Sequence, residues 1–413
     1  MQPTHRHNWA RPSVKAWRSL CGPKSSQVKP IQFNPVQRLA VKKLTQFLIR
    51  ALELSWLKGS RLAWLLAPLL WPMSKLVWFA LRVNALWRGP HHIEALPVAL
   101  LVVGNVYVGG VGKTPLVMAI IDHFKNQGLK LGVISKAYAT QGPNPSHTPR
   151  LLSPQDQASE VGDEPLLIFQ RTGVPVCIGL NRHLAAKHLL QLHPEVQLII
   201  SDDGLQNNSL APEMTVCVFD NRGLGNGWTL PAGPLREVWP RIAGLHPSQS
   251  APYQWVMNTG DQPQISGFAC QRSLAKEAHN AKGLRVKLDQ LQTHPTEKLI
   301  ALAGVGQPNL FFKMLKDLGL ELDQCVALSD HAKLQAYQDV LEKLQITRHP
   351  NTKIVCTEKD AVKLWTICPQ AYAVALRISL PSEFLDELDQ ALSRVMQKKR
   401  AFSNATNADM INR

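Results

Sequence analysis

Fifteen residues, Leu101 to Pro115, read LVVGNVYVGGVGKTP. An unbroken apolar run enters a glycine-rich turn, and the turn opens a helix at Lys113 and Thr114. Glycines let consecutive backbone N–H groups turn inward on a phosphate, and the helix start adds free donors and partial positive charge. Lys113 then reaches the β- and γ-phosphates of a nucleotide, and the Thr114 hydroxyl binds Mg²⁺. Tyr107 stands where the general P-loop pattern has glycine. The candidate nucleotide-binding residues are therefore Tyr107, Val108, Gly109, Gly110, Val111, Gly112, Lys113 and Thr114. Val108 also replaces the lysine that ATPases partitioning DNA or positioning septa carry before the paired glycines.

A P-loop requires a second carboxylate at the end of a neighbouring strand to hold the metal. The run Val196 to Ser201 followed by Asp202 and Asp203 supplies it. At the carboxyl edge of a parallel sheet both acids face the crevice that holds the P-loop, and both are expected to stay ionised beside one Mg²⁺. Two other clusters carry polar groups at loop ends. In VGDEP (Val161 to Pro165), Asp163 is a candidate general base and Glu164 its neighbour, although an acid at a helix start is also an ordinary electrostatic device. Pro231 to Glu237, PAGPLRE, ends in Arg236 and Glu237. Arg236 either neutralises charge on a transferring phosphoryl group or ties down its own loop.

Strands and helices alternate after residue 95. Expected strands are Pro97–Val103, Leu131–Ser135, Val174–Gly179, Val196–Ser201 and Met214–Asp220, with helices Thr114–Asn126 and Arg182–Leu192. A loop-like stretch from His246 to Gln264 precedes a second set, from the strand Lys298–Ala303 to the helix Ser382–Met396. The reading is an α/β protein: a P-loop NTPase-type parallel-sheet domain over 93–260 and a second, smaller α/β domain over 261–396 with a mainly parallel sheet. The charged residues 397–413 read as a frayed tail.

The formal net charge is +16, but residues 1–95 hold fifteen Lys/Arg against two acids. The rest of the chain is nearly neutral, which argues against a basic groove for nucleic acid. Seven of the eleven tryptophans lie in that same segment. Residues 1–45 read as a disordered basic tail and 46–92 as a hydrophobic, Trp-rich docking arm. Leu62 to Leu81 is long enough to span a bilayer. Lys75, the two prolines Pro68 and Pro72, and basic flanks on both sides favour a helix lying in the interface, with packed core helices as the alternative. Seven scattered cysteines without CxxC spacing exclude a disulfide framework or zinc knuckle and point to buried thiols in a reducing compartment.

Taken together and in order, GNVYVGGVGKTP, VGDEPLL, SDDGLQ, GNG…LPAGPLRE, SDH (Ser329 to His331) and TEKDAVKL (Thr357 to Leu364) resemble the tetraacyldisaccharide 4′-kinase family of lipid A biosynthesis. The resemblance covers residues 50 to 395. It implies transfer of the γ-phosphate of ATP, with Mg²⁺, to the 4′-hydroxyl of a lipid A disaccharide precursor. The implied location is the cytoplasmic face of the inner membrane, with the lipid surface as partner. It also casts Asp163 and His331 as a catalytic dyad, Asp202 and Asp203 as metal and phosphate residues, and Tyr138, Glu164, Gln206, Arg236 and Glu237 as the surrounding shell. The chain departs from the family pattern at Ser135-Lys136-Ala137-Tyr138-Ala139, where Ser-Arg-Gly-Tyr-Gly is usual. It departs again at Asn207, where His is usual, and at Ser209, which replaces a common basic residue. These departures leave open a diverged nucleotide-binding regulator with weak or no transfer, and a generic P-loop ATPase or ligase remains a third reading.

Overall fold

The computed structural model describes residues 51–57, 59–87, 93–136, 148–241, 246–292, 297–344 and 352–411. The expected tail 1–45, Cys21 and Tyr138 lie outside them. Met1–Leu52 and Glu53–Arg413 form separate units, and the fold that follows is that of the second.

It begins with α1 (Arg61–Trp87), a helix that runs unbroken through Pro68 and Pro72. Each proline removes one ladder hydrogen bond. Both are solvent-exposed, so water can satisfy the freed carbonyls. After β1 (Ala99–Gly104) come α2 (Lys113–Asn126), β2 (Leu131–Lys136), β3 (Arg150–Leu151), α3 (Ala158–Val161), α4 (Asp163–Thr172), β4 (Val176–Gly179), α5 (Arg182–Leu192), β5 (Leu198–Asp202) and β6 (Met214–Phe219). With β7 (Tyr253–Asn258) and β8 (Phe268–Ala269) they form an eight-stranded sheet in the order β3-β4-β2-β5-β1-β6-β7-β8. All its pairings are parallel except β3 with β4. Every residue of β1, β5 and β6 is buried, as central strands covered on both faces require.

The second sheet has the order β10-β9-β14-β13-β11-β12, from β9 (Gln271–His279), β10 (Arg285–Lys287), β11 (Lys298–Ala303), β12 (Gln324–Ala327), β13 (Thr352–Thr357) and β14 (Tyr372–Ser379). Helices α6 (Pro308–Asp317), α7 (Leu334–Lys343) and α8 (Glu358–Leu364) accompany it. The long C-terminal helix α9 (Ser382–Ile411) does not belong to its core. Phe384, Leu388, Ala391, Leu392 and Val395 instead join the apolar core of the first sheet.

Two sequence expectations change here. The loop-like stretch 246–264 contains β7, which completes the first sheet beside β6. Only Trp255 and Met257 are buried apolar anchors in it, too few to mark a strand by pattern. The second sheet is mainly parallel, as expected, through β12, β11, β13 and β14, and β9 pairs antiparallel with both β14 and β10. Leu274 and Ala278 alone bury in β9, so this half-exposed strand lacks a continuous apolar run. Finally, 397–411 is helix rather than frayed tail. Lys399 is tied to Glu213 at 2.6 Å and to the Leu96 carbonyl at 2.6 Å, which anchors this part of the helix beside the first sheet. The cysteines behave as expected: five of the six described are buried and all are free.

Candidate active site

The glycine turn between β1 and α2 is braced from three directions. Asn105, fully buried, donates to the carbonyls of Tyr107 and Gly109 (the latter at 3.2 Å) and accepts from Lys113 Nζ at 3.0 Å. The PAGPLRE segment lies alongside: Val108 N donates to the Pro234 carbonyl at 2.9 Å, Arg236 N to Val106 at 2.7 Å, and Tyr107 bridges to Leu235. On the far side, Arg222 pairs with Asp220 at 2.7 Å, donates to the Gly110 carbonyl at 2.8 Å, and lies over the Tyr107 ring at 4.4 Å. Tyr107 thus fills with a cation–π contact the place where a glycine is usual. Gly112 is the residue before α2, with φ of 86°, and an L side chain there would be strained. Gly110 approaches Gly306, in the loop after β11, so closely that a Cβ on Gly306 would lie 3.0 Å from the Gly110 backbone.

At the end of β5 the two acids separate. Asp202 is buried, and neither of its carboxylate oxygens finds a partner among the described residues. Burial, with the charge of Glu164 second, pushes its pKa up to about 7 against the pull of Lys113. Asp203 sits in the left-handed region at φ 51°, an uncommon backbone for a residue other than glycine. Its carboxylate faces Lys113 at 3.5 Å and Arg236 at 3.2 Å. Burial opposes ionisation, but Lys113, Arg236 and Arg182 together outweigh it and hold Asp203 below the usual carboxylate range. The two acids differ because only Asp203 has cations within contact distance.

Arg236 also reaches Gln206 Oε1 at 3.4 Å, and Gln206 donates to the Asn105 carbonyl at 3.1 Å and to Glu237 at 2.8 Å. Glu237, buried, accepts from Gln249 at 2.6 Å and pairs with Arg241 at 3.4 Å. It anchors the loop from behind. Asn207, the departure from the family pattern, accepts from the backbone and hydroxyl of Ser209 at 2.8 Å each. The two substituted residues thus close a turn on one another.

The third group joins the two sheets. Asp163 begins α4, buried, and the second sheet's elements reach it through His331 Nδ1 at 3.5 Å and Lys363 Nζ at 2.5 Å, both on Oδ2. His331 is the other described non-glycine residue in the left-handed region, at φ 56°. Glu164 meets Lys359 at 2.9 Å, and Lys359 also meets Asp330 at 3.0 Å. Burial works to discharge Lys359, yet the flanking carboxylates win and raise its pKa. For Asp163 burial again works upward, and the hydrogen bonds from His331 and Lys363 with the Lys363 and Lys359 charges bring it below the ordinary value.

Glu164, Asp330 and Lys359 line one cavity with Gly110 to Pro115, Arg272 and an apolar wall from Val305 to Met314; its water-accessible space is about 160 Å³. The cleft between the sheets therefore gathers Lys113, Thr114 and Glu164, with Asp163 and His331 one residue further on and the Asp202–Asp203–Arg236 group beside Lys113. The residues that pattern reading passed over are Asn105, Arg222, Arg272, Lys359 and Lys363. Only the two lysines carried a signal: four apart on α8, they share one helix face.

Among the described residues, the N-terminal helix α1 and Trp56 meet this machinery at the loop that carries Trp228 to Ala232. Ser74 of α1 donates to the Thr229 carbonyl at 2.9 Å and accepts from Ala232 N at 3.0 Å, and Trp56 Nε1 donates to the Pro231 carbonyl at 3.1 Å. Trp64 packs edge-on against Trp228. The rest of α1 presents Trp64, Leu65, Leu69, Leu76 and Phe79 outward, each more than three-fifths exposed. Within Arg61–Val83 only Ala63 and Ser74 are buried. Packed core helices do not fit that exposure.

A parallel sheet whose central strand opens a braced glycine turn, with acids closing the next strand, defines a P-loop nucleotide-dependent phosphotransferase. A family model described as tetraacyldisaccharide-1-P 4′-kinase matches residues 64–393. The tetraacyldisaccharide 4′-kinase of Acidovorax sp. (strain JS42) is 43% identical over 333 residues, covering 79% of this chain and 91% of that one. Its counterpart from Polaromonas naphthalenivorans (strain CJ2) is 38% identical over 348 residues, covering 83% and 96%. Among solved structures, LpxK from Aquifex aeolicus in complex with ATP matches with a TM-score of 0.61 at 24% identity, covering 81% of this chain and 99% of that one. This chain belongs to the tetraacyldisaccharide 4′-kinase family.

Proposed function

We propose that the protein transfers the γ-phosphate of ATP to the 4′-hydroxyl of a tetraacyldisaccharide 1-phosphate at the cytoplasmic face of the inner membrane. One observation carries the reading beyond family membership: the cleft places a P-loop lysine and a partnerless buried carboxylate beside an Asp–His pair supplied from both sheets. Gly109 to Thr114 present backbone donors to the β- and γ-phosphates, and Lys113 adds a positive charge where transition-state charge collects. Asp163 orients the acceptor hydroxyl and takes its proton, with His331 held beside its Oδ2 at 3.5 Å. Arg236, fixed by Asp203 and Gln206, stands next to Lys113 as a second cation. The chain's two sheets act as two lobes of this site, the first holding the nucleotide and the second completing the base.

The residues present suit Mg²⁺. Thr114 and Asp202, with Asp203 beside them, would hold it, and the two unpaired oxygens of buried Asp202 are the kind of orphan a hard cation satisfies. Among the described residues no three His, Cys, Asp or Glu side chains stand together as a metal cage, which fits an ion completed by phosphate and water. When bound, Mg²⁺ supplies charge neutralisation on the β- and γ-phosphate oxygens.

The exposed apolar face of α1 lies in the membrane interface, where its tryptophans sit at headgroup level and Arg61, Lys75 and Arg82 meet anionic lipid. An acceptor with four acyl chains stays in that membrane, so docking brings the enzyme to its substrate. The decisive assay separates products of labelled ATP and tetraacyldisaccharide 1-phosphate by thin-layer chromatography. A labelled bisphosphorylated lipid is expected; ATP hydrolysis without labelled lipid would overturn the assignment.

A further inference from the structure

Two cationic side chains on one face of α8 cross from the second sheet to the acids that open α4, and they do different things. Lys359 bridges Glu164 and Asp330, a pairing complete in itself. Lys363 approaches Asp163 at 2.5 Å and at the same time donates to the Ala332 carbonyl at 2.9 Å, next to His331 in sequence. Its side chain is only 13% exposed. One ammonium group thereby joins the carboxylate on the first sheet to the backbone that carries the histidine on the second. Lys363 and His331 both use Oδ2, and Oδ1 of Asp163 has no hydrogen-bond partner among the described residues.

We infer that Lys363 is a positioning residue for phosphoryl transfer: it locks Oδ2 of Asp163 and the His331 loop together, so that Oδ1 is the atom presented to the acceptor hydroxyl. The inference rests on the reading of Asp163 as the base. A carboxylate free to rotate about χ2 would share its basic oxygens between the lysine, the histidine and water, and misplacement of a reacting group by about 1 Å can cost on the order of 10²-fold in rate. Lys363 has a second consequence. An ammonium at 2.5 Å favours the ionised carboxylate, so Asp163 stays a competent acceptor of protons in a buried setting that would otherwise neutralise it.

The other charged groups facing Asp163 do not duplicate this. Lys359 is committed to Glu164 and Asp330, and His331 is a weaker partner at 3.5 Å. Tyr337 of α7 donates its hydroxyl to Asp360. On α3, Glu160 turns to Arg150 at 3.5 Å, and Lys125 of α2 lies at the opposite end of α4, on the Thr172 carbonyl.

The test uses the full chain in lipid vesicles with Mg-ATP and tetraacyldisaccharide 1-phosphate, over a pH series. Lys363→Met is expected to lower kcat about 10- to 100-fold with the KM for ATP unchanged. The acid limb of the pH–rate profile should also move up by about one pH unit or more, as loss of an opposite charge within contact distance does. Lys363→Arg should keep the acid limb in place while restoring kcat only in part, because a planar guanidinium carries the charge with different geometry. Lys363→Gln, which keeps a donor without the charge, should move the limb like Met and provides the measurement if the Met variant does not fold. An unmoved limb in Met and Gln, or a limb moved equally by Arg, would overturn the inference. Asp163→Asn, measured alongside, separates the two claims. If it retains wild-type turnover, the base assignment falls; if it is inactive while Lys363→Met behaves as wild type, the role of Lys363 alone falls.

Discussion

Replacing Lys113 with alanine separates chemistry from architecture in this site. The lysine is 10% exposed, 3.0 Å from Asn105 Oδ1 and 3.5 Å from Asp203. At an effective dielectric of about 20, two unit charges at that separation attract by roughly 5 kcal/mol before desolvation. Little of this is net stability, because Asp203 retains Arg236 at 3.2 Å when Lys113 is gone. Asn105 likewise keeps its two donated bonds to the turn. The expected loss in folding free energy is on the order of 1 kcal/mol, a shift of only about 1 °C in Tm for a chain of this length. The chemical loss is larger. Removing one preorganised donor to developing negative charge costs about 3–4 kcal/mol, or 10²- to 10³-fold in kcat. Turnover is measured with labelled ATP and the lipid acceptor, and folding by thermal denaturation of the same preparation. Near wild-type turnover in Lys113→Ala would refute the P-loop chemistry. A loss of activity that merely follows unfolding would show that the lysine is a structural cation.

Other consequences are open to direct measurement. Asp163→Asn should leave ATP affinity nearly unchanged while lowering transfer strongly, and adding His331→Ala should cost much less than the two single losses combined; fully additive losses would break the pair into independent residues. Because the folded-state pKa of Asp163 lies below its unfolded value, its ionised form stabilises the protein above the unfolded pKa, and that contribution disappears as pH falls through the folded one. Urea unfolding between pH 7 and 3 should therefore show a smaller acid loss in Asp163→Asn than in wild type, and an equal loss would remove the coupling. Deleting residues 1–90 should release the protein from anionic vesicles in a sedimentation assay, whereas high salt should release it only partly, since screening leaves the apolar burial of α1 intact. Co-sedimentation of the truncated chain at wild-type levels would place membrane docking elsewhere. Asn105→Ala strips the turn of two donors and Lys113 of its acceptor, and should cost about 2–3 kcal/mol in stability as well as nucleotide affinity; a variant as stable as wild type would show that the turn stands without its buried amide.

Residues 101–115 determined their own local structure. A fully apolar strand, three glycines and a Lys-Thr helix start leave one cheap backbone path, so the phosphate cradle was readable before any fold was known. The acids after β5 were equally plain, because an apolar strand ending in two carboxylates has one place to put them in a parallel sheet. The partners of those residues were not local. Asp202 and Asp203 are neighbours of the same type, yet one is buried without a partner and the other faces two cations, a split set by where Lys113 and Arg236 arrive. β7 and β9, each one strand in from a sheet edge, escaped the pattern because they bury too few apolar residues to print a period. α9 reads as the last helix of the second half, but its apolar face closes the core of the first sheet. Asp163, an ordinary helix-start acid in sequence, takes its meaning from His331 and Lys363, 168 and 200 residues away. Sequence fixes what a few adjacent residues can do with their own backbone. Which charge faces which across a cleft depends on long-range packing, and no local pattern encodes it.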